Sequence, residues 1–181
     1  MCGARRVIVG ASGSPGSLRA LRYAEDLARL NDALLIPVLA WTPPGGDLAE
    51  RRSPSAYLRR VWQQAAGQRL SRALEAAWGT APPGVALHPM VVRGEPGPAL
   101  VDVASCGDDL VVVGAGRRGW PGRWLSARVS RYCLRHARCP VLVVPPATLG
   151  AGPGRGLRGW GFRHRELTVD RALREWGRAP A

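Results

Sequence analysis

Apolar residues fall along the chain in two alternating patterns. Short, largely apolar runs rich in β-branched residues occur at Arg6 to Ala11 (RVIVGA), Ala33 to Trp41 (ALLIPVLAW), Val85 to Val92, Leu110 to Val113 and Val141 to Val144. Runs of this kind suit strands covered on both faces of a parallel sheet. Between them, apolar residues recur at helical spacing. Leu18, Leu21, Ala24, Leu27 and Ala28 form one stripe, with Arg19, Arg22, Glu25, Asp26 and Arg29 mostly turned outward. Leu58, Val61, Trp62, Ala65, Leu70, Ala73, Leu74 and Ala77 describe a long helix from Ser55 to Trp78, despite Gly67. Pro98 to Ser105 is a short helix. Within Trp124 to His136, Leu125, Val129, Tyr132 and Cys133 lie opposite Arg128, Arg131 and Arg135, with Leu134 off the apolar side.

Strands alternating with helices imply right-handed crossovers and a three-layer α/β domain ending near Pro146. Local signals agree. Ser14 can cap the first helix, with Pro15 at its first position, where a missing N–H costs nothing. Pro37 is an awkward member of the second strand because it cannot donate to the ladder. Pro43 to Pro54 reads as a surface loop, Gly79 to Gly84 as a helix stop and Arg93 to Pro96 as a turn. In an open parallel sheet, ligands sit beyond the carboxyl ends of strands, near helix N-termini. Gly114 to Ser130, between the last two strands, is therefore the candidate site.

The totals narrow the class. At 181 residues and 46% hydrophobic content, the chain suits one globular domain. No run approaches the roughly 18 to 20 apolar residues of a membrane span, and the start, MCGARRVIVG, lacks a signal-peptide core. A cytoplasmic protein that does not engage membranes is expected. Cys2, Cys106, Cys133 and Cys139 show no CxxC spacing and read as thiols; with only three histidines, no metal-ligand cluster is expected. The net charge is +13, carried by 26 basic residues that are all arginine. They are spread along the chain instead of forming one patch, which argues against nucleic acid as a partner. Residues 147–181 differ from the rest: rich in Gly and Arg and without a usable period, they read as a flexible basic tail.

Several stretches taken together resemble the universal stress protein (UspA-like) family: VIVGASGSPGSLRALRYAEDLAR, then VVRGEP, then VVVGAGRRGW with HARCPVLVVP. The resemblance covers residues 5 to 146. It implies an open, five-stranded parallel sheet of order 3-2-1-4-5, adenine nucleotide alpha hydrolase-like, often paired into homodimers through the last strand. Here that strand is Val141 to Pro145, an apolar edge that an isologous partner would cover. The resemblance also implies a stress-response role through ATP and protein partners.

The family's ATP fingerprint is a glycine, two residues, a glycine, nine residues, then glycine and serine or threonine. An aspartate ends the first strand. Glycines let backbone N–H groups close around phosphate oxygens, and the hydroxyl adds a donor. In this chain Gly114 matches the first glycine, but Arg117, Ala127 and Arg128 stand at the next three positions, and Ser12 replaces the aspartate. The implied nucleotide-binding set is Gly10, Ala11, Ser12, Ala40, Val113, Gly114, Gly116, Arg117, Ala127, Arg128, Val129 and Ser130.

Two readings follow. Arg117 in place of a glycine with positive φ costs roughly 1 to 2 kcal/mol and fills phosphate space, so the site is degenerate and the chain is a binding or regulatory module without turnover chemistry. Alternatively, Arg117 and Arg128 grip an anion, ATP among them, by charge-assisted contacts and support at most weak hydrolysis. Trp120 and Trp124 flank the arginine loop and are placed to stack on a base or cover the site. The chain contains neither a GxxxxGK[ST] phosphate loop nor GxSxG, so Ser12 reads as a turn hydroxyl and no catalytic residue is expected. Asp108 and Asp109 precede a strand at its amino end and read as turn and surface residues.

Overall fold

The structure, a computed structural model, describes residues 6–79, 84–115 and 123–145, with 123–127 described as backbone only. Five parallel strands, β1 (Arg6–Gly10), β2 (Leu34–Trp41), β3 (Met90–Arg93), β4 (Asp109–Gly114) and β5 (Val141–Val144), form one sheet. Their order is β3-β2-β1-β4-β5, as the resemblance implied. The helices are α1 (Pro15–Leu30), α2 (Gly46–Arg52), α3 (Ala56–Trp78), α4 (Pro96–Val103) and α5 (Arg123–His136). Val7, Ile8, Val9, Leu35, Leu39, Val111 and Val112 are fully buried, which is why these runs are apolar at successive positions. No described helix is long and apolar enough to cross a membrane.

The first crossover follows its local chemistry. The Ser14 hydroxyl accepts from the Ser17 N–H at 3.3 Å, and Pro15 opens α1. Ala20, Leu21, Ala24, Leu27 and Ala28 are the buried stripe. On α5, Val129 packs against the core cluster around Ile8, Val111 and Cys133, while Leu134 is exposed.

Five expectations are corrected. The third strand begins at Met90, not Val85. In the shared register of the Leu35–Leu87 bridge and the Val38–Met90 pair, Pro37 faces Pro89. Leu35 donates to Ala86 and accepts from His88, so the bond lost at this point is the one Pro37 would have sent to the His88 carbonyl. Pairing is continuous only beyond it. Pro43 to Pro54 is not all loop, because Gly45, at φ 82°, turns the chain into α2.

The buried stripe of α3 is Ala66, Leu70, Ala73 and Ala77, whereas Leu58 and Val61 stay exposed. Small residues let the second half of α3 approach the sheet closely; its first half stands clear. Asp109 is wholly buried. Its carboxylate accepts from Arg6 Nε at 2.7 Å, from Arg6 Nη2 at 2.6 Å and from the Cys106 N–H at 2.8 Å. It ties the amino ends of β1 and β4, and these bonds raise the Arg6 pKa further. The expected tail lies outside the described residues.

Cys133 and Cys139 are free thiols, as expected, but Cys106 is disulfide-bonded. Burial pushes the Cys133 thiol up to about 11 from 9.0. Its pKa is raised on folding, so its contribution is intact below about pH 9. It is lost as pH rises to about 11, because the unfolded chain ionises first. Over that window about 2 to 3 kcal/mol of stability goes. Urea melts at pH 8 and pH 11 are expected to show the loss, partly flattened in Cys133→Ala; a pH-independent difference between the two proteins would refute it.

Candidate functional site

The carboxyl ends of β1 and β4 lie side by side in the sheet, at the point where the strand order reverses. That is where an open α/β sheet leaves a crevice. Gly10 ends β1, with Ala11 and Ser12 just beyond it, and Val113 and Gly114 end β4. Ala40 lies near the end of β2, in register with Val92 of β3. Gly116 and Arg117 lie outside the described residues, as do Trp120 and, for its side chain, Trp124. Ala127 is placed on the backbone of α5, with its side chain undescribed. Arg128 on α5 is exposed, Val129 packs into the core cluster and Ser130 is buried.

Local bonding decides what this edge offers a ligand. The Ala11 N–H is used on the Val38 carbonyl, and the Ala115 N–H on that of Val144, both at 2.8 Å. Ser12 Oγ bonds Ser14 Oγ at 3.0 Å, and Gly13 takes φ 79° to make the turn. At the start of α1, Pro15 has no N–H, Ser17 donates to the cap and Leu18 donates to the Ser14 carbonyl. Among the described residues, only the Gly16 N–H of that first turn is left to point at an anion. Gly114 has a structural duty: a Cβ there would stand 2.7 Å from the Gly16 carbonyl oxygen and 2.8 Å from its carbon. The matched glycine is needed for α1 to lie against β4, with or without phosphate.

Residues 3–145 match the profile of the universal stress protein family. The chain belongs to the universal stress protein family. Universal stress protein Rv2623 of Mycobacterium tuberculosis is 36% identical over 143 residues, 76% of this chain and 46% of that protein. The chain thus spans about half the length of the curated relatives it matches. Universal stress protein UspA from Lactobacillus plantarum covers 80% of this chain and 99% of its own, with 21% identity and a TM-score of 0.59, a likeness of fold. A universal stress protein solved in complex with cAMP is 27% identical over 80% of this chain and 98% of its own, with a TM-score of 0.49.

A second polar cluster was not legible in the sequence. At the carboxyl ends of β2 and β3, Glu50 of α2 is buried and accepts from Arg59 Nε at 2.7 Å and from Arg93; Arg93 also bonds Asp47 at 2.7 Å. The carboxylates hold the Arg93 pKa above its ordinary value. This cluster pins α2 onto α3 and β3. A hollow of about 450 Å3 lies away from the β1–β4 crevice. It opens to solvent between α3 and β3 and is lined by Arg60, Gln63, Gln64, Gly67 and Val91.

Proposed function

We propose that this universal stress protein is a cytoplasmic, dimeric binding or regulatory module of the stress response, with a degenerate nucleotide site and no turnover chemistry. The observation that carries the proposal is the state of the β1–β4 edge. Its retained glycine, Gly114, is occupied by packing on Gly16, and Ser12, in place of the aspartate, bonds Ser14. Among the described residues, none there supplies a carboxylate for a nucleoside, and one α1 N–H is left for phosphate. Arg117, Ala127 and Arg128 remove three more elements of the fingerprint.

Restoration tests this directly. Ser12→Asp with Arg117→Gly, Ala127→Gly and Arg128→Ser is expected to bind ATP with magnesium at least about tenfold more tightly than the native chain. Equal binding by both proteins would contradict the proposal. A second reading, favoured by the exposure of Arg128 on α5, has Arg117 and Arg128 holding the phosphates of ATP. It requires native-chain affinity that drops when Arg128 is changed to Ala.

The dimer half of the proposal rests on β5. It is the last strand of the sheet, and Val141, Leu142 and Val143 are only half-buried there. Light scattering of the full chain at micromolar concentration is expected to give a dimer mass, and Val143→Arg a monomer. A monomeric native chain would overturn this part.

A further inference from the structure

The hollow between α3 and β3 has three properties that belong together. Its floor includes Gly67, in the interior of α3, where glycine destabilises a helix relative to alanine. A Cβ at Gly67 would meet no atom within 4 Å, so packing within the chain does not require the glycine. Its absent side chain keeps the hollow open. Its wall includes Val91 of β3, which lies at one edge of the sheet. His88 donates to Leu35 and Gly94 to Trp41, so even-numbered residues here turn their backbone toward β2. Val91 and Arg93 therefore turn their N–H and C=O groups to the open edge.

Its rim is basic and apolar. Among the described residues Arg60 forms no ion pair, and α3 carries four arginines against the single carboxylate of Glu75. Tyr57 and Val61, one helical turn before Arg60 and Gln64, are 74% and 39% exposed.

We infer that this groove holds an extended acidic segment of a partner protein, added to the sheet beside Val91 and Arg93. A strand laid along an open edge gains main-chain hydrogen bonds, and pockets beside it select alternate side chains. Gln63 and Gln64 offer amide donors and acceptors suited to a peptide backbone, Arg60 attracts carboxylates, and Tyr57 and Val61 take the apolar residues between them. The proposal gives the binding-module reading a partner chemistry and rests on it. The two fail separately, since nucleotide titration tests the reading and peptide binding tests the groove.

The test is fluorescence anisotropy of the full chain with a labelled peptide of alternating glutamate and valine. A lysine–valine peptide and phosphatidylglycerol vesicles serve as alternatives. Saturable binding at micromolar concentration is expected, at least about tenfold tighter for the glutamate peptide. Gly67→Leu, which fills the hollow, and Arg60→Glu are each expected to weaken it about tenfold or more. Gly67→Ala is expected to raise the melting temperature and Gly67→Leu not to lower it, which separates lost binding from lost fold. Bound peptide should slow amide exchange at Val91 and Arg93. Equal binding of both peptides, no saturation, indifference to Gly67→Leu, or vesicle binding that displaces the glutamate peptide would each overturn the proposal.

Discussion

Asp109→Ala is expected to lower the stability of the chain by about 3 kcal/mol, a fall in melting temperature of about 6 to 12 °C. Asp109 is fully buried, with both oxygens bonded to Arg6 and one also to the Cys106 N–H. Removing the carboxylate leaves the half-buried Cys106 amide without that acceptor and takes the charge partner from the Arg6 side chain, which is one-quarter exposed. Arg6 can still reach water, which keeps the cost below that of a fully enclosed pair. The double change Arg6→Met with Asp109→Leu removes both charges and is expected to recover most of the loss. Denaturant titration of the two variants checks this. A single variant within about 0.5 kcal/mol of the native chain would mean that the pair does not hold β1 to β4.

Gly114→Ala is expected to cost about 1 to 3 kcal/mol in the absence of any ligand. The added Cβ meets the backbone of Gly16, and backbone in the first turn of a capped helix cannot rotate aside as a side-chain tip can. Relief comes only by moving α1 off β4, which exposes part of the buried stripe Ser17, Ala20, Leu21 and Ala24. A glycine kept solely for phosphate approach would behave differently: the ligand-free protein would be unaffected. Thermal melts of the apo variant separate the two, and an unchanged melting temperature would return Gly114 to a purely ligand-binding role.

Both residues show where the sequence was and was not sufficient. The strands β1, β2, β4 and β5 were legible because burial on both faces demands apolar residues at successive positions. Ser14 and Pro15 marked the start of α1 because capping is local chemistry. Interactions between distant residues left no such mark. Asp108 and Asp109 are adjacent and alike in sequence, yet only Asp109 faces inward, toward Arg6 about a hundred residues earlier. Glu50 sits among glycines, prolines and charges that read as loop, and its burial depends on Arg93, 43 residues away. Apolar periodicity in α3 was real, but the helix projects beyond the sheet, so Tyr57, Leu58 and Val61 have nothing of this chain to cover them among the described residues.

The candidate site was legible in its location and not in its duties. The fingerprint spacing led to Gly114 and Arg128, and parallel-sheet topology led to the ends of β1 and β4. That Gly114 packs on Gly16 is visible only once β4 and α1 are brought together. Ser12 gave a better signal: a serine two residues before a helix cap is suited to bond within its own turn, and it does so with Ser14.

The most direct measurement is calorimetric titration of the native full-length chain with ATP in the presence of magnesium. A degenerate crevice predicts no saturable heat and no rise in melting temperature at millimolar nucleotide. Saturable binding of one ATP per chain, abolished by Arg128→Ala, would contradict it and establish that arginines have replaced the lost glycines at the phosphates.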